Sequence, residues 1–308
     1  MDIKEFAEEV KNRISEKREN LILETNDVIK NNGVKYHGIT IREKDDNSCV
    51  APTMYVDRYY HENMSVEETA DSMLKGYENN RETQQNFTVD KNDFFKEDYI
   101  RDNVFVRLMN YEKNKDTVKD IPHVKMGDLV VTLRVNVLSK GMEETASFLL
   151  NNNTMEYIGI NASEMFEVAK ENYKKLFPPR LEPIANILIR RAPWLSKEEQ
   201  RALQDECNMH VLTSEEFVNG AYYMTDKEVL AESAKKLGTD KVIILPSSIH
   251  EVILLPYDFD GASDEELLEL VKSVNINEVS PEEVLSDNVY IFDSKANEVR
   301  SISGELIV

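Results

Sequence analysis

Two apolar hexapeptides, KVIILP (241–246) and EVILLP (251–256), stand four residues apart, and no other feature of the chain restricts its fold as tightly. Each is a short run rich in β-branched residues and closed by a proline, the pattern of a strand buried on both faces. The pair reads as adjacent antiparallel core strands joined through Ser247, Ser248, Ile249 and His250, with Ile244 in the core. A second hairpin follows: VYIFD and EVRSI flank the polar stretch Ser-Lys-Ala-Asn.

Upstream, Ile3, Phe6, Val10, Ile14 and Leu21 recur near a 3.6-residue period, which predicts an amphipathic helix over residues 2–30, ended by Asn31-Asn32-Gly33. VKYHGITI (34–41) and PTMYVDRYY (52–60) then read as a hairpin around Lys44 to Ser48. LVVTLRVNVL (129–138) alternates apolar and polar residues as a half-buried strand does, with TASFLL (145–150) as its antiparallel neighbour. Capping-box spacing marks helix starts at Ser65/Glu68, Ser196/Glu199, Thr213/Glu216, Thr225/Glu228, Ser263/Glu266 and Ser280/Glu283, the last with Pro281 at the first helical position.

Hairpins and helices arranged this way, without strict βαβ alternation, predict an α+β fold of mainly antiparallel sheets packed by amphipathic helices. Pro178, Pro179, Pro183 and Pro193 crowd the stretch from Phe177 to Trp194, which is expected to be an irregular crossing between lobes. The expected division is an N-terminal lobe, 1–176, and a C-terminal lobe, 177–308, with a single domain as the alternative.

With 37 basic against 58 acidic residues, the formal net charge of -21 opposes direct binding of nucleic acid and of anionic lipid. Residues 257–308 hold 13 Asp/Glu and 3 Lys/Arg, so this stretch carries -10 of that total and forms an acidic C-terminal face open to a protein partner. Cys49 and Cys207 have neither disulfide-framework nor zinc-site spacing. The N-terminus is charged from residue 2, and no apolar run approaches the roughly 18 residues of a membrane span. A cytoplasmic protein is the expectation.

LPSSIHEVILLP sets two hydroxyls, an imidazole and a carboxylate between the core strands, the groups that nucleophilic catalysis uses. Ser247, Ser248, His250 and Glu251 are therefore the catalytic candidates. Against them stand the lack of a GxSxG elbow and the tightness of the connection, which fit a turn closed by hydroxyl-to-backbone bonds. Tyr55, Tyr59, Tyr60 and His61 are binding candidates as a polar aromatic cluster, or else an amphipathic strand edge. Arg190 and Arg191 beside Trp194 are binding candidates too, forming with Arg180 the one locally basic aromatic stretch; an internal salt-bridged contact between lobes is the preferred reading of it. His37, His61, His123 and His210 lie at no metal-ligand spacing, and no glycine-rich phosphate loop occurs, so neither metal nor cofactor is called for.

NNGVKYHGITI, APTMYVDRYY, LPSSIHEVILLP and LSDNVYIFD together resemble a domain-of-unknown-function family of anaerobic Firmicutes, mainly Clostridia. The resemblance spans most of the chain, implies a bacterial cytosolic setting and assigns no catalytic residue. The function expected is that of a non-catalytic binding or regulatory protein. One alternative is a hydrolase using Ser247 or Ser248 with His250; another is an acidic mimic of nucleic acid acting on a DNA-binding protein.

Overall fold

The computed structural model of the chain describes residues 1–44, 51–79, 95–137, 146–257 and 263–308. They form two compact units, Met1–Ile100 with Val137–Ser147, and Arg101–Asn136 with Phe148–Val308. The fold is α+β with antiparallel sheets, and residue 177, the expected boundary, falls inside the second unit.

In the first unit Asp2 caps helix α1 (Ile3–Lys17): its carboxylate accepts the N–H groups of Lys4 and Glu5, and Glu5 reciprocates at the N–H of Asp2. Phe6, Ala7, Val10 and Ile14 form the buried stripe. The helix ends at Lys17 rather than near residue 30. Thr25, Asn26, Asp27 and Val28 are weak helix formers, and strand β1 (Leu21–Ile29) pairs instead over all nine residues with β2 (Lys35–Glu43). Strand β3 (Thr53–Tyr55) adds to β2, completing an antiparallel sheet of order β1-β2-β3. Residues 45–48 of the expected turn lie outside the described residues. PTMYVDRYY is strand only at its start, because Asp57–His61 form helix α2. Helix α3 (Val66–Asn79) begins at the predicted Ser65/Glu68 box. Val10, Ile14, Ile39, Ile41, Val56 and Met73 are fully buried in the core of this unit.

Helix α4 (Glu97–Asn103) leads into β4 (Val104–Asn110), followed by helix α5 (Lys115–Val118), β5 (His123–Met126), β6 (Leu129–Val137) and β7 (Ala146–Leu149). The sheet runs β4-β6-β5, with β7 also paired to β6. The alternation in β6 predicts one wet face, yet every residue from Leu129 to Asn136 except Arg134 is buried. Its polar residues therefore meet protein: Thr132 Oγ1 donates to the Arg107 carbonyl at 3.1 Å. Helix α6 (Asn152–Ile158) and helix α7 (Ala162–Leu176) come next, with α7 packed on β4.

The proline-rich stretch is regular: β8 (Pro179–Pro183) is followed by helix α8 (Ile184–Arg191). The prolines are tolerated because β8 is an edge strand, where missing N–H donors cost no ladder bond. Helix α9 (Lys197–Glu206), β9 (His210–Ser214), a 3-10 turn over Gly220–Thr225, helix α10 (Lys227–Leu237), β10 (Lys241–Pro246), β11 (Val252–Pro256), helix α11 (Asp264–Asn277), β12 (Tyr290–Asp293) and β13 (Glu298–Ser301) complete the unit. The six-stranded sheet has the order β13-β12-β10-β11-β9-β8, with both predicted hairpins antiparallel and Ile244 fully buried.

Ser196 and Ser263 cap α9 and α11 as their spacing predicts. Thr213 instead lies in β9, Asp226 rather than Thr225 caps α10, and Ser280 to Glu283 close one turn through a 2.7 Å Glu283 N–H to Ser280 carbonyl bond. In these three places neighbouring sequence with a stronger preference overrides the box.

Candidate functional site

The five residues between β10 and β11 are tied down at almost every polar atom. The Ser248 hydroxyl oxygen accepts the His250 N–H at 3.0 Å, and the Ser248 N–H donates to the Glu251 carbonyl at 3.1 Å, closing the turn. Ile249 is buried, and its N–H donates to the Glu283 carbonyl at 2.9 Å.

His250 is held from the β9 side. Its carbonyl accepts both the Gly220 N–H at 2.8 Å and Thr213 Oγ1 at 2.9 Å. The Asn219 N–H donates to His250 Nδ1 at 3.1 Å. Asn219 adopts a left-handed backbone, φ 58°, and its own carbonyl accepts the Tyr173 hydroxyl at 2.6 Å. The chains approach so closely that a Cβ on Gly220 would stand 2.4 Å from Thr213 Cα and 2.5 Å from Ser214 N, so glycine is obligatory there.

A backbone N–H donor on Nδ1 fixes the tautomer: the proton of neutral His250 sits on Nε2. That nitrogen lies 3.6 Å from Glu283 Oε1, beyond hydrogen-bond length. Burial, then the positive charge of Arg107, depresses the imidazole pKa to about 4. Burial holds the Glu283 carboxyl above its usual range, with Glu282 adding to the effect and Arg107 opposing it. Glu251 is likewise raised by burial, against the charge of Arg191 and the Ser247 hydroxyl.

Arg107 and Arg134 are charged groups inside the sheet that periodicity passes over. In the antiparallel β4–β6 pair Arg107 is opposite Thr132 and Arg134 is opposite Phe105, so the two arginines are diagonal neighbours on one face. Both guanidinium pKa values are depressed, Arg107 to about 9 by burial and then by the charge of Arg134, and Arg134 to about 10 by burial. Arg107 Nε is buried without a hydrogen-bond partner. The signal in sequence was a charge at the centre of each of two apolar strands, VFVRLMN and LVVTLRVNV, which alternation assigns to solvent.

The other candidates separate. Tyr55 packs its ring 5.0 Å from Tyr36, under Lys30, while Tyr59 and Tyr60 sit on α2 against the core of the first unit, where the Tyr60 hydroxyl donates to the Met1 carbonyl. His61 is exposed at the end of that helix, so Tyr55 alone, on the edge strand β3, holds a strand-edge position. Arg190 and Arg180 both bond the buried Glu182 carboxylate, at 3.0 and 2.8 Å, an ion-paired knot within the second unit that ties α8 to β8. Trp194 is 78% exposed. Among the described residues no group of three or more His, Cys, Asp or Glu is placed to hold a metal ion, and no helix is long and apolar enough to cross a membrane.

No curated protein and no solved structure matches the chain. The profile of a family of unknown function, DUF5688, matches residues 3–294, nearly the whole sequence, and the chain belongs to that family.

Proposed function

We propose that the chain is a non-catalytic binding protein of the bacterial cytosol that docks a basic protein partner on its acidic C-terminal face. The observation that carries this reading is the outer side of α11. Glu265, Glu269 and Ile276, at spacings of four and seven, share a stripe opposite buried Leu267 and Val271, and Ile276 is 80% exposed. Exposed Asp264 and Glu266 lie to either side of the stripe, and Lys272, the one basic residue of that helix, falls within it one turn before Ile276. Carboxylates on the first two turns of α11, with an exposed apolar side chain on the same side near its end, fit a partner that brings lysines or arginines beside an apolar contact.

The state of His250 supports the non-catalytic half of the reading. A neutral imidazole has one lone pair with which to take a proton from serine, and in His250 that lone pair, on Nδ1, accepts the Asn219 N–H. The Ser248 hydroxyl oxygen accepts the His250 N–H, a turn-closing role.

The test sets wild type beside Glu265→Lys/Glu269→Lys in affinity capture from bacterial lysate. A protein retained by wild type at low salt, released at about 0.5 M salt and absent from the charge-reversed variant is the expected result. The same retained set on both proteins would overturn the docking surface, and labelling of Ser247 or Ser248 by a fluorophosphonate would overturn the non-catalytic assignment.

A further inference from the structure

Strand β1 leaves one side of its backbone open. The Lys30 N–H donates to the Val34 carbonyl at 2.7 Å and the Lys44 N–H to the Asn20 carbonyl at 3.0 Å, so the even-numbered residues of β1 form the hydrogen-bonded pairs with β2. The odd-numbered residues Leu23, Thr25, Asp27 and Ile29 therefore direct their N–H and C=O groups away from the sheet, and among the described residues none of these backbone groups makes a hydrogen bond. Nine residues is long for an open edge, because edge strands are ordinarily kept short, bulged, lysine- or proline-bearing, or covered. The sequence of β1 contains neither proline nor lysine, and its ladder with β2 runs without a bulge. The charge of Asp27 does not plug the edge either, since Lys4 neutralises it at 2.7 Å.

The strand also matches itself. Set antiparallel to a second copy with Thr25 on a two-fold axis, LILETNDVI places Leu21 opposite Ile29, Ile22 opposite Val28, Leu23 opposite Asp27 and Glu24 opposite Asn26. Apolar meets apolar at both ends, no like charges stand opposite, and the odd-numbered residues fall at the hydrogen-bonded positions, where their open groups can pair. Ile29, 62% exposed, gains an apolar neighbour. Other registers are poorer: centring on Glu24 or Asp27 sets two carboxylates face to face, and centring on Asn26 sets Ile22 against Lys30 and Glu24 against Val28.

We propose that two copies of this chain join edge to edge through β1, about Thr25, so that their three-stranded sheets become one continuous antiparallel sheet. The acidic face of α11 belongs to the other unit, and Glu265→Lys/Glu269→Lys leaves the dimer intact.

Sedimentation velocity of the full chain at micromolar concentration is the test, with circular dichroism as the check on folding. Wild type is expected to sediment as a dimer that dissociates on dilution. Thr25→Pro removes a backbone N–H that β2 does not use and blocks the middle of the new ladder, so it is expected to fold and to be a monomer. Thr25→Lys sets like charges opposite each other on the axis while keeping every backbone group; it too is expected to be a monomer, and it decides the matter if the proline variant does not fold. The register is read by oxidation in a Cys49→Ser/Cys207→Ser background. Residues opposite at a hydrogen-bonded position have Cα atoms about 5.5 Å apart, within disulfide reach, so Thr25→Cys is expected to cross-link two chains and Asn26→Cys is not. A wild-type monomer, a dimer that survives in the folded Thr25 variants, or cross-linking through Asn26→Cys in preference to Thr25→Cys would each overturn the proposal.

Discussion

His37 in the first unit and His250 in the second are both partly buried histidines gripped at the backbone, yet their neighbours have opposite charge. His37 Nδ1 lies 3.0 Å from Asp57 Oδ1, and its N–H donates to the other oxygen of that carboxylate at 2.8 Å. Its Nε2 is 3.8 Å from Asp27, which in turn holds Lys4 at 2.7 Å. His250 instead receives a backbone N–H on Nδ1 and faces the charge of Arg107. The lesson is that one residue type serves two designs. In the first unit a carboxylate fastens β2 to α2 through the imidazole; in the second a neutral imidazole is locked by a backbone N–H within reach of the charge of Arg107, where an imidazolium would add a like charge.

The sharpest way to break this contrast is steric. The His250 clamp depends on Gly220 lying against the backbone of β9, so Gly220→Ala must push two backbones apart. It is expected to cost about 3 kcal/mol or more, or to prevent folding. The first-unit clamp rests on a side chain instead: Asp57→Ala orphans the partly buried His37 N–H and should cost about 1–3 kcal/mol. Denaturant unfolding reads both, and a Gly220→Ala protein as stable as wild type would refute the close approach.

A smaller effect separates the two nitrogens of His250. His250→Asn can place its side-chain oxygen near Nδ1 and keep the Asn219 bond, whereas His250→Gln reaches toward Nε2 and leaves that buried N–H unpaired. Gln should therefore be less stable than Asn by about 1 kcal/mol; the reverse order would mean that Nε2 carries the structural bond.

The fold was legible where local preference and burial agree. KVIILP and EVILLP have one reading, and Ser65 and Ser263 start helices because apolar periodicity follows each box, while Ser196 starts one on the strength of its reciprocal cap with Glu199 and good helix formers after it. Leu21 misled because it fits the period of α1, although the Thr-Asn-Asp-Val run beyond it favours a strand that only β2, fourteen residues downstream, can pair. The candidate turn was legible in position but not in chemistry. Nothing near 247–251 in the chain announces Asn219, Arg107 or Glu283, which the topology brings there from three separate segments. Arg134 was hidden in another way, since alternation cannot tell a sheet face covered by protein from one covered by water.

The electrostatic side of the comparison gives the smallest effect. A His250 pKa depressed from 6.5 to about 4 means that the unfolded chain takes up the proton first as pH falls. Stability from this group is full above about pH 6.5 and drains away down to about pH 4. The depression corresponds to at most about 3 kcal/mol, and less in practice because the ring is 28% exposed. Glu251 and Glu283, raised by burial, oppose the trend by taking up protons more readily in the folded state. The contribution of His250 is therefore read as the difference between wild type and His250→Asn, and a difference that does not change between pH 7 and pH 5 would contradict it.

Nitrogen-15 NMR of the His250 imidazole across pH tests the locked neutral ring most directly. The account predicts a proton on Nε2, an unprotonated Nδ1 whose shift reports the Asn219 hydrogen bond, and no conversion to imidazolium down to about pH 5. A proton on Nδ1, or an imidazolium already formed at about pH 6, would contradict it.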